Sequence, residues 1–164
     1  MAIERTGTVT EHGDTCELML ERKVGADAIA VWPFFSESRE LGMWFGTYVG
    51  DPDSGEVVLG MTAEEGDATS AVEIIACAAP AHLVVQTTNE AGSWSLEVEL
   101  EDGGHEPGSG TLIRFTQHEL PLEMLPDVAA GWEWYLDRLV AAIAGAPMPD
   151  WSDYYPALRD AYAP

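Results

Sequence analysis

Positive charge is what this 164-residue chain has least of: 7 Lys and Arg stand against 29 Asp and Glu, a formal net charge of −22. Nucleic acid and anionic membrane surfaces are held mainly by Lys and Arg neutralising phosphates. The composition therefore excludes nucleic acid as a partner. Cysteine is also scarce, with Cys16 in the apolar run Cys16-Glu17-Leu18-Met19-Leu20 and Cys77 ending Ile74-Ile75-Ala76-Cys77. One distant pair in such runs makes neither a disulfide framework nor metal-ligand spacing, and each reads as a small buried hydrophobe. No stretch reaches the roughly 20 apolar residues that cross a bilayer, which argues against membrane insertion. Met1-Ala2-Ile3-Glu4-Arg5-Thr6 lacks the basic start and apolar core of a signal peptide. A soluble cytoplasmic protein is the expectation, and no internal repeat or low-complexity segment complicates it.

Apolar material is plentiful: 46% of residues are hydrophobic, including 6 Trp, 5 Tyr and 4 Phe, enough to offset the entropy of ordering the chain. The length suits one ordinary domain. Residues 15–24 alternate, with Cys16, Leu18 and Leu20 on one side and Glu17, Met19 and Glu21 on the other, which predicts a strand with one wet face; Arg22 is the exception on the apolar side. Residues 26–35 read as a short helix stopped by Pro33, and Ser36 as the cap of a second one through Leu41. Turn signals at 51–55, 64–67, 79–80, 89–92 and 103–110 then separate strand-length runs at 56–63, 68–77, 82–88, 93–101 and 111–119, an antiparallel meander.

Pro126 and Gly145 bracket a long helix with an apolar stripe that includes Trp132, Leu136 and Leu139. Trp134 points the other way beside Asp137, Arg138 and Ala141. The tail residues Trp151, Tyr154, Tyr155 and Tyr162 are expected to fold back over that side. The division that results is an N-terminal extension 1–14, a domain 15–145 and an aromatic tail 146–164 that packs on it.

Several segments resemble one superfamily. They are Gly25-Ala26-Asp27-Ala28-Ile29-Ala30-Val31-Trp32 with Glu40-Leu41-Gly42-Met43-Trp44-Phe45, the hairpin around Ala71-Val72-Glu73-Ile74-Ile75 and Ala81-His82-Leu83-Val84-Val85-Gln86-Thr87, and the run 110–120. Together with Gly131-Trp132-Glu133-Trp134-Tyr135-Leu136-Asp137-Arg138-Leu139, they are similar to the START-like (SRPBCC) superfamily, in its branch of heat-shock-protein-90 ATPase activator homologues. The resemblance covers roughly residues 15–145 and implies an α+β helix-grip fold, a curved antiparallel sheet wrapped around the long C-terminal helix. It also implies a hydrophobic small molecule or lipid as partner, held between sheet and helix. Other members cyclise or dehydrate polyketides there, or stimulate a chaperone with the help of an additional N-terminal domain.

Residue chemistry adds no metal, cofactor or catalytic residue to that expectation. Asp51-Pro52-Asp53-Ser54-Gly55-Glu56 has its glycine one place early for a calcium loop and Thr62 where the closing Glu belongs, so it reads as a solvated acidic turn. His118-Glu119 lacks the second histidine of a zinc helix, and His12, His82, His105 and His118 fall in four segments. There is no nucleophile elbow, and the glycine-rich 103–110 joins two strands instead of opening a helix. By strand parity only Gln117 and Arg22 bring polar groups inward.

If sheet and helix enclose a cavity, its lining would come from Met61, Val72, Ile74, Trp94, Leu96 and Phe115 on strands, with Gln117 as polar member. Trp44 would join from behind the second short helix, and Trp132, Leu136 and Leu139 from the long one. The leading reading is a binder of hydrophobic ligands. The enzyme alternative, a polyketide cyclase or dehydratase, requires an inward-facing ionisable pair. A chaperone-activator-like module would use the acidic surface on a basic protein partner, and a homodimer is a further arrangement.

Overall fold

The computed structural model describes residues 3–62, 69–90, 92–103 and 109–164. The acidic turn 64–67, and His105 with most of its glycine-rich loop, lie outside the described residues.

The chain opens with a hairpin. Strand β1 (Thr8–His12) turns through Gly13, at φ 69°, into β2 (Thr15–Val24). A strand therefore occupies part of the stretch expected to be an extension. The two-residue turn is a hairpin connection in which glycine supplies the positive φ. In β2 the alternation is realised as expected, with Cys16, Leu18 and Leu20 buried.

Three one-turn helices follow, α1 (Ala28–Val31), α2 (Pro33–Ser36) and α3 (Ser38–Leu41), where the sequence predicts two. Pro33 starts the second of them instead of stopping the first, because a first-turn proline has no hydrogen bond to lose. Ser36 is not a cap: its hydroxyl donates back to the Trp32 carbonyl. The short β3 (Gly46–Val49), which has too few alternating residues to show in sequence, leads into β4 (Glu56–Met61). Four longer strands complete the meander, β5 (Thr69–Ala78), β6 (His82–Asn89), β7 (Gly92–Asp102) and β8 (Thr111–Pro121).

The eight strands among the described residues form one sheet in the order β1-β2-β8-β7-β6-β5-β4-β3, every neighbouring pair antiparallel. Helix α4 (Leu125–Ala144) starts with Pro126 in its first turn and ends on Gly145 at φ 67°, the left-handed stop that glycine permits. Among the strands it packs most closely on β2, and Ala129, Leu136 and Leu139 join Leu18, Leu20 and Ile113 in the buried core. The β4 to β6 side of the sheet curls away from α4 and carries its own small cluster of Val57, Leu59 and Val72. This divergence places the site. The chain then returns through a turn at Trp151–Asp153 to α5 (Ala157–Tyr162), whose Leu158 and Tyr162 are buried. Among the described residues no helix is long and apolar enough to cross a membrane. The architecture is the helix-grip α+β arrangement expected from the sequence.

Candidate functional site

Where the sheet leaves the helix, the interior is not filled. A cavity of about 160 Å³ lies between the inward face of β4 to β8, the short helices α2 and α3 with Trp32 before them, and the middle of α4. That is far above the roughly 10–15 Å³ one water molecule needs, and close to the size of apolar cavities known to take a benzene-sized ring. Each wall follows from strand or helix periodicity. Strand β6 contributes Leu83, Val85 and Thr87, and β5 faces them with Val72 and Ile74. Leu96 and Val98 come from β7, Phe115 from β8, and Val57 and Leu59 from β4.

The aromatic end of the cavity is built by the short helices and α4. Phe45 stacks on Trp132 with ring centroids 5.5 Å apart, and Phe115 meets the same indole at 4.1 Å. Trp44 sits edge-on to Phe35 at 5.6 Å. The polar tips of these rings point into protein instead of the cavity. Trp44 donates to the Phe34 carbonyl at 2.8 Å, Tyr48 to the Ser36 carbonyl at 2.6 Å, and Trp132 to Gln117 Oε1 at 2.7 Å. The surface left facing the space is almost wholly apolar, the composition that suits hydrophobic ligands. Exposed Pro52 and Cys77 stand at the rim.

Of the residues singled out in sequence, Trp44, Val72, Ile74, Leu96, Phe115 and Trp132 are brought together on this wall. The other five lie elsewhere. Leu136 and Leu139 are farther along α4 in the closed core, and Met61 and Trp94 are half-buried against that core. Gln117 is inward and buried but stands behind the wall, where it holds the Trp132 indole. Phe45, Trp32, Phe35, Tyr48, Val85 and Thr87 line the cavity without having been singled out. The β6 residues were within reach, since parity places Leu83, Val85 and Thr87 on one face, and Thr87 corrects the expectation that Gln117 and Arg22 alone bring polar groups inward.

A second polar centre lies between β2, α4 and the tail. Arg22 donates to Asp137 Oδ1 and to Glu133 Oε1, each at 2.8 Å. Glu133, 1% exposed, also accepts from the Thr6 backbone at 2.6 Å and from the Tyr162 hydroxyl at 2.7 Å, and Tyr154 donates to Asp137 at 2.6 Å. Burial pushes the Glu133 carboxyl upward, but hydrogen bonds from Thr6, Tyr162 and Arg22 outweigh it and hold its pKa below the usual carboxylate range. Burial, and then the carboxylates they donate to, push Tyr154 and Tyr162 well above the ordinary tyrosine range. All its parts are engaged with one another, so this centre acts as a clamp on both chain ends. Asp137, expected on the outer side with Trp134, belongs to it. Trp134 itself packs on Trp151 at 5.2 Å.

On the outer face of the sheet, strand register assembles a third group. His118 lies 2.5 Å from Glu17 through Nδ1 and 2.8 Å from Glu97 through Nε2, and His82 reaches the other Glu97 oxygen at 2.6 Å. Among the described residues no cluster has the arrangement of a metal site.

Comparison with known proteins identifies the architecture. No curated protein matches the chain by sequence. The crystal structure of CalU16 from Micromonospora echinospora is similar over 99% of this chain and 96% of its own, with a TM-score of 0.74 and 22% identity. A Bordetella parapertussis protein encoded by BPP1335 matches over 99% and 94% (TM-score 0.73, 18% identity), and the conserved Enterococcus faecalis protein of unknown function EF2215 over 95% and 87% (TM-score 0.72, 18% identity). At such identities the likeness is one of fold. The model of the family described as activator of Hsp90 ATPase homolog 1-like protein matches residues 26–144, most of the sequence, and the chain belongs to that family.

Proposed function

We propose that this protein binds an uncharged, predominantly apolar small molecule of about one aromatic ring in the cavity between sheet and α4. The observation that carries the reading is the unfilled space of about 160 Å³ with an aromatic wall whose polar tips are turned away from it. A wholly structural interior would be close-packed, since each void forfeits dispersion contacts. Acid–base catalysis in the cavity would need an ionisable pair on its wall. The described lining residues include no carboxylate, imidazole, lysine or arginine, and the inward pair Arg22 and Glu133 is bonded elsewhere. Those facts favour binding over the cyclase alternative.

Because Trp32, Trp44 and Trp132 line the space, ethylbenzene should change intrinsic tryptophan fluorescence saturably. Val85→Phe, which fills the cavity from a strand position that tolerates aromatics, should abolish the response while melting at a temperature near that of the parent. Absence of any saturable response in the parent protein would refute the reading.

A further inference from the structure

We propose that the Thr87 hydroxyl recognises an uncharged oxygen function on the ligand, so that the cavity selects neutral carbonyl- or hydroxyl-bearing aromatics over hydrocarbon and carboxylate analogues. The proposal rests on the ligand-binding reading above and adds its polar determinant. Thr87 stands on β6 opposite Val72 of β5 and Trp94 of β7, on the inward face with Leu83 and Val85. It lines the cavity and is 7% exposed.

Its hydroxyl makes no hydrogen bond to any described residue. Every fully enclosed side-chain nitrogen or oxygen among those residues has a partner. The Thr87 oxygen is therefore not sealed inside protein, and the residue that carries it lines the cavity. The other hydroxyls of the wall are committed, Ser36 to the Trp32 carbonyl and Tyr48 to the Ser36 carbonyl. A buried hydroxyl left without a partner is costly, whereas valine would fill the same volume at no such cost. A ligand oxygen in reach of Thr87 supplies the missing bond.

The rest of the wall sets the other limits. With no charged side chain among the described lining residues, a carboxylate entering the cavity would lose its hydration without compensation. The chain's net charge of −22 also repels anions on approach.

The experiment titrates ethylbenzene, acetophenone, 1-phenylethanol and benzoate into the full chain and follows backbone amide shifts by NMR. The parent protein, Thr87→Val and Thr87→Ser are compared. Acetophenone or 1-phenylethanol should bind about five- to tenfold more tightly than ethylbenzene, the worth of one ordinary hydrogen bond, with benzoate weakest. Thr87→Val should erase that preference, while Thr87→Ser keeps it. A ketone only accepts, so tighter binding of acetophenone than of ethylbenzene assigns Thr87 as donor, and a further preference for 1-phenylethanol over acetophenone assigns it as acceptor as well. If ethylbenzene binds and Thr87→Val leaves the preference intact, or no preference exists, the proposal is overturned and the binding reading stands. If none of the four compounds shifts cavity residues, both fall.

Discussion

Arg22 and Glu133 meet at 2.8 Å between β2 and α4, with the glutamate almost completely shut off from water. The pair holds four segments at once, because Glu133 also accepts from Thr6 near the N-terminus and from Tyr162 in α5, and Arg22 reaches Asp137. Gly7 makes the approach of the N-terminal segment feasible: its amide donates to the Tyr162 hydroxyl at 2.7 Å, and a Cβ there would collide with that hydroxyl. Ion pairs of this kind are strongly context-dependent, since desolvation opposes the Coulomb gain, but removing one partner strands the other.

Arg22→Met or Glu133→Leu alone should therefore destabilise the protein by about 3–5 kcal/mol. The double variant should lose less than the sum of the two, because neither member of the buried pair is left facing an uncharged partner, and partly exposed Asp137 keeps the Tyr154 hydroxyl. Urea unfolding followed by tryptophan fluorescence measures all three, and a double variant with additive loss would show the pair to be uncoupled.

The indole of Trp132 is the hinge between cavity wall and core. It stacks on Phe45 and Phe115 and donates to buried Gln117 at 2.7 Å. Trp132→Phe keeps an aromatic ring but leaves the Gln117 carbonyl without its donor, a penalty of about 1–3 kcal/mol for a buried polar group. Adding Gln117→Leu should restore part of that stability. Thermal melts of the single and double variants decide it: a double variant no more stable than Trp132→Phe would mean that the cost came from lost ring volume alone.

Which features were legible in the sequence follows from how local their causes are. The alternation of Cys16, Leu18 and Leu20 fixes the face of β2, and Pro126 with Gly145 fixes the ends of α4, because each signal lies within the element it defines. Arg22 was legible as an inward residue, but Glu133 was not as its partner, since a helical stripe is traced through apolar residues and passes over a carboxylate beside Trp132. Leu136 and Leu139 share that stripe with Trp132 yet miss the cavity. The curl of β4 to β6 away from α4 is a property of the whole sheet, and it determines which turn of the helix faces open space. Thr87 carried a parity signal, but threonine is common in strands for its shape, and only the missing partner distinguishes it. The convergence of His82, His118, Glu17 and Glu97 comes from register across four strands, set partly by an extra residue in β8 opposite Glu17 where Glu119 takes φ 51°.

The pH dependence of stability should carry the mark of that outer cluster. Burial would lower the His118 pKa, but hydrogen bonds to Glu97 and Glu17 prevail and raise it above the ordinary histidine value. His118 thus contributes stability that is complete below its unfolded pKa of about 6.5 and is lost as pH rises through the higher folded value. Hydrogen bonding from His82, with His118 assisting, lowers the Glu97 pKa, so its contribution is present above the ordinary glutamate range and lost as pH falls through the depressed value. Stability should be greatest in the mildly acidic to neutral interval between these transitions. The cluster is partly solvent-exposed, so each contribution should be below about 1 kcal/mol. Melting temperatures from about pH 4 to about pH 9, with His118→Gln as comparison, test this; a variant that keeps the alkaline decline in full would refute the assignment to His118.

Salt should separate the surface from the interior. With 29 acidic and 7 basic side chains, the folded chain concentrates like charge on its surface, including outward Glu97, Glu99 and Glu101 on β7. Screening shortens the range of such repulsion to about 10 Å at 0.1 M salt and about 3 Å at 1 M. Raising sodium chloride should therefore raise the melting temperature of the parent protein. The loss caused by His118→Gln should shrink in the same series, because its partners are partly exposed. The loss caused by Arg22→Met should hold nearly constant, because Glu133 lies where mobile ions do not reach. Equal salt sensitivity of the two variants would place both pairs in the same dielectric environment and contradict the burial on which the clamp depends.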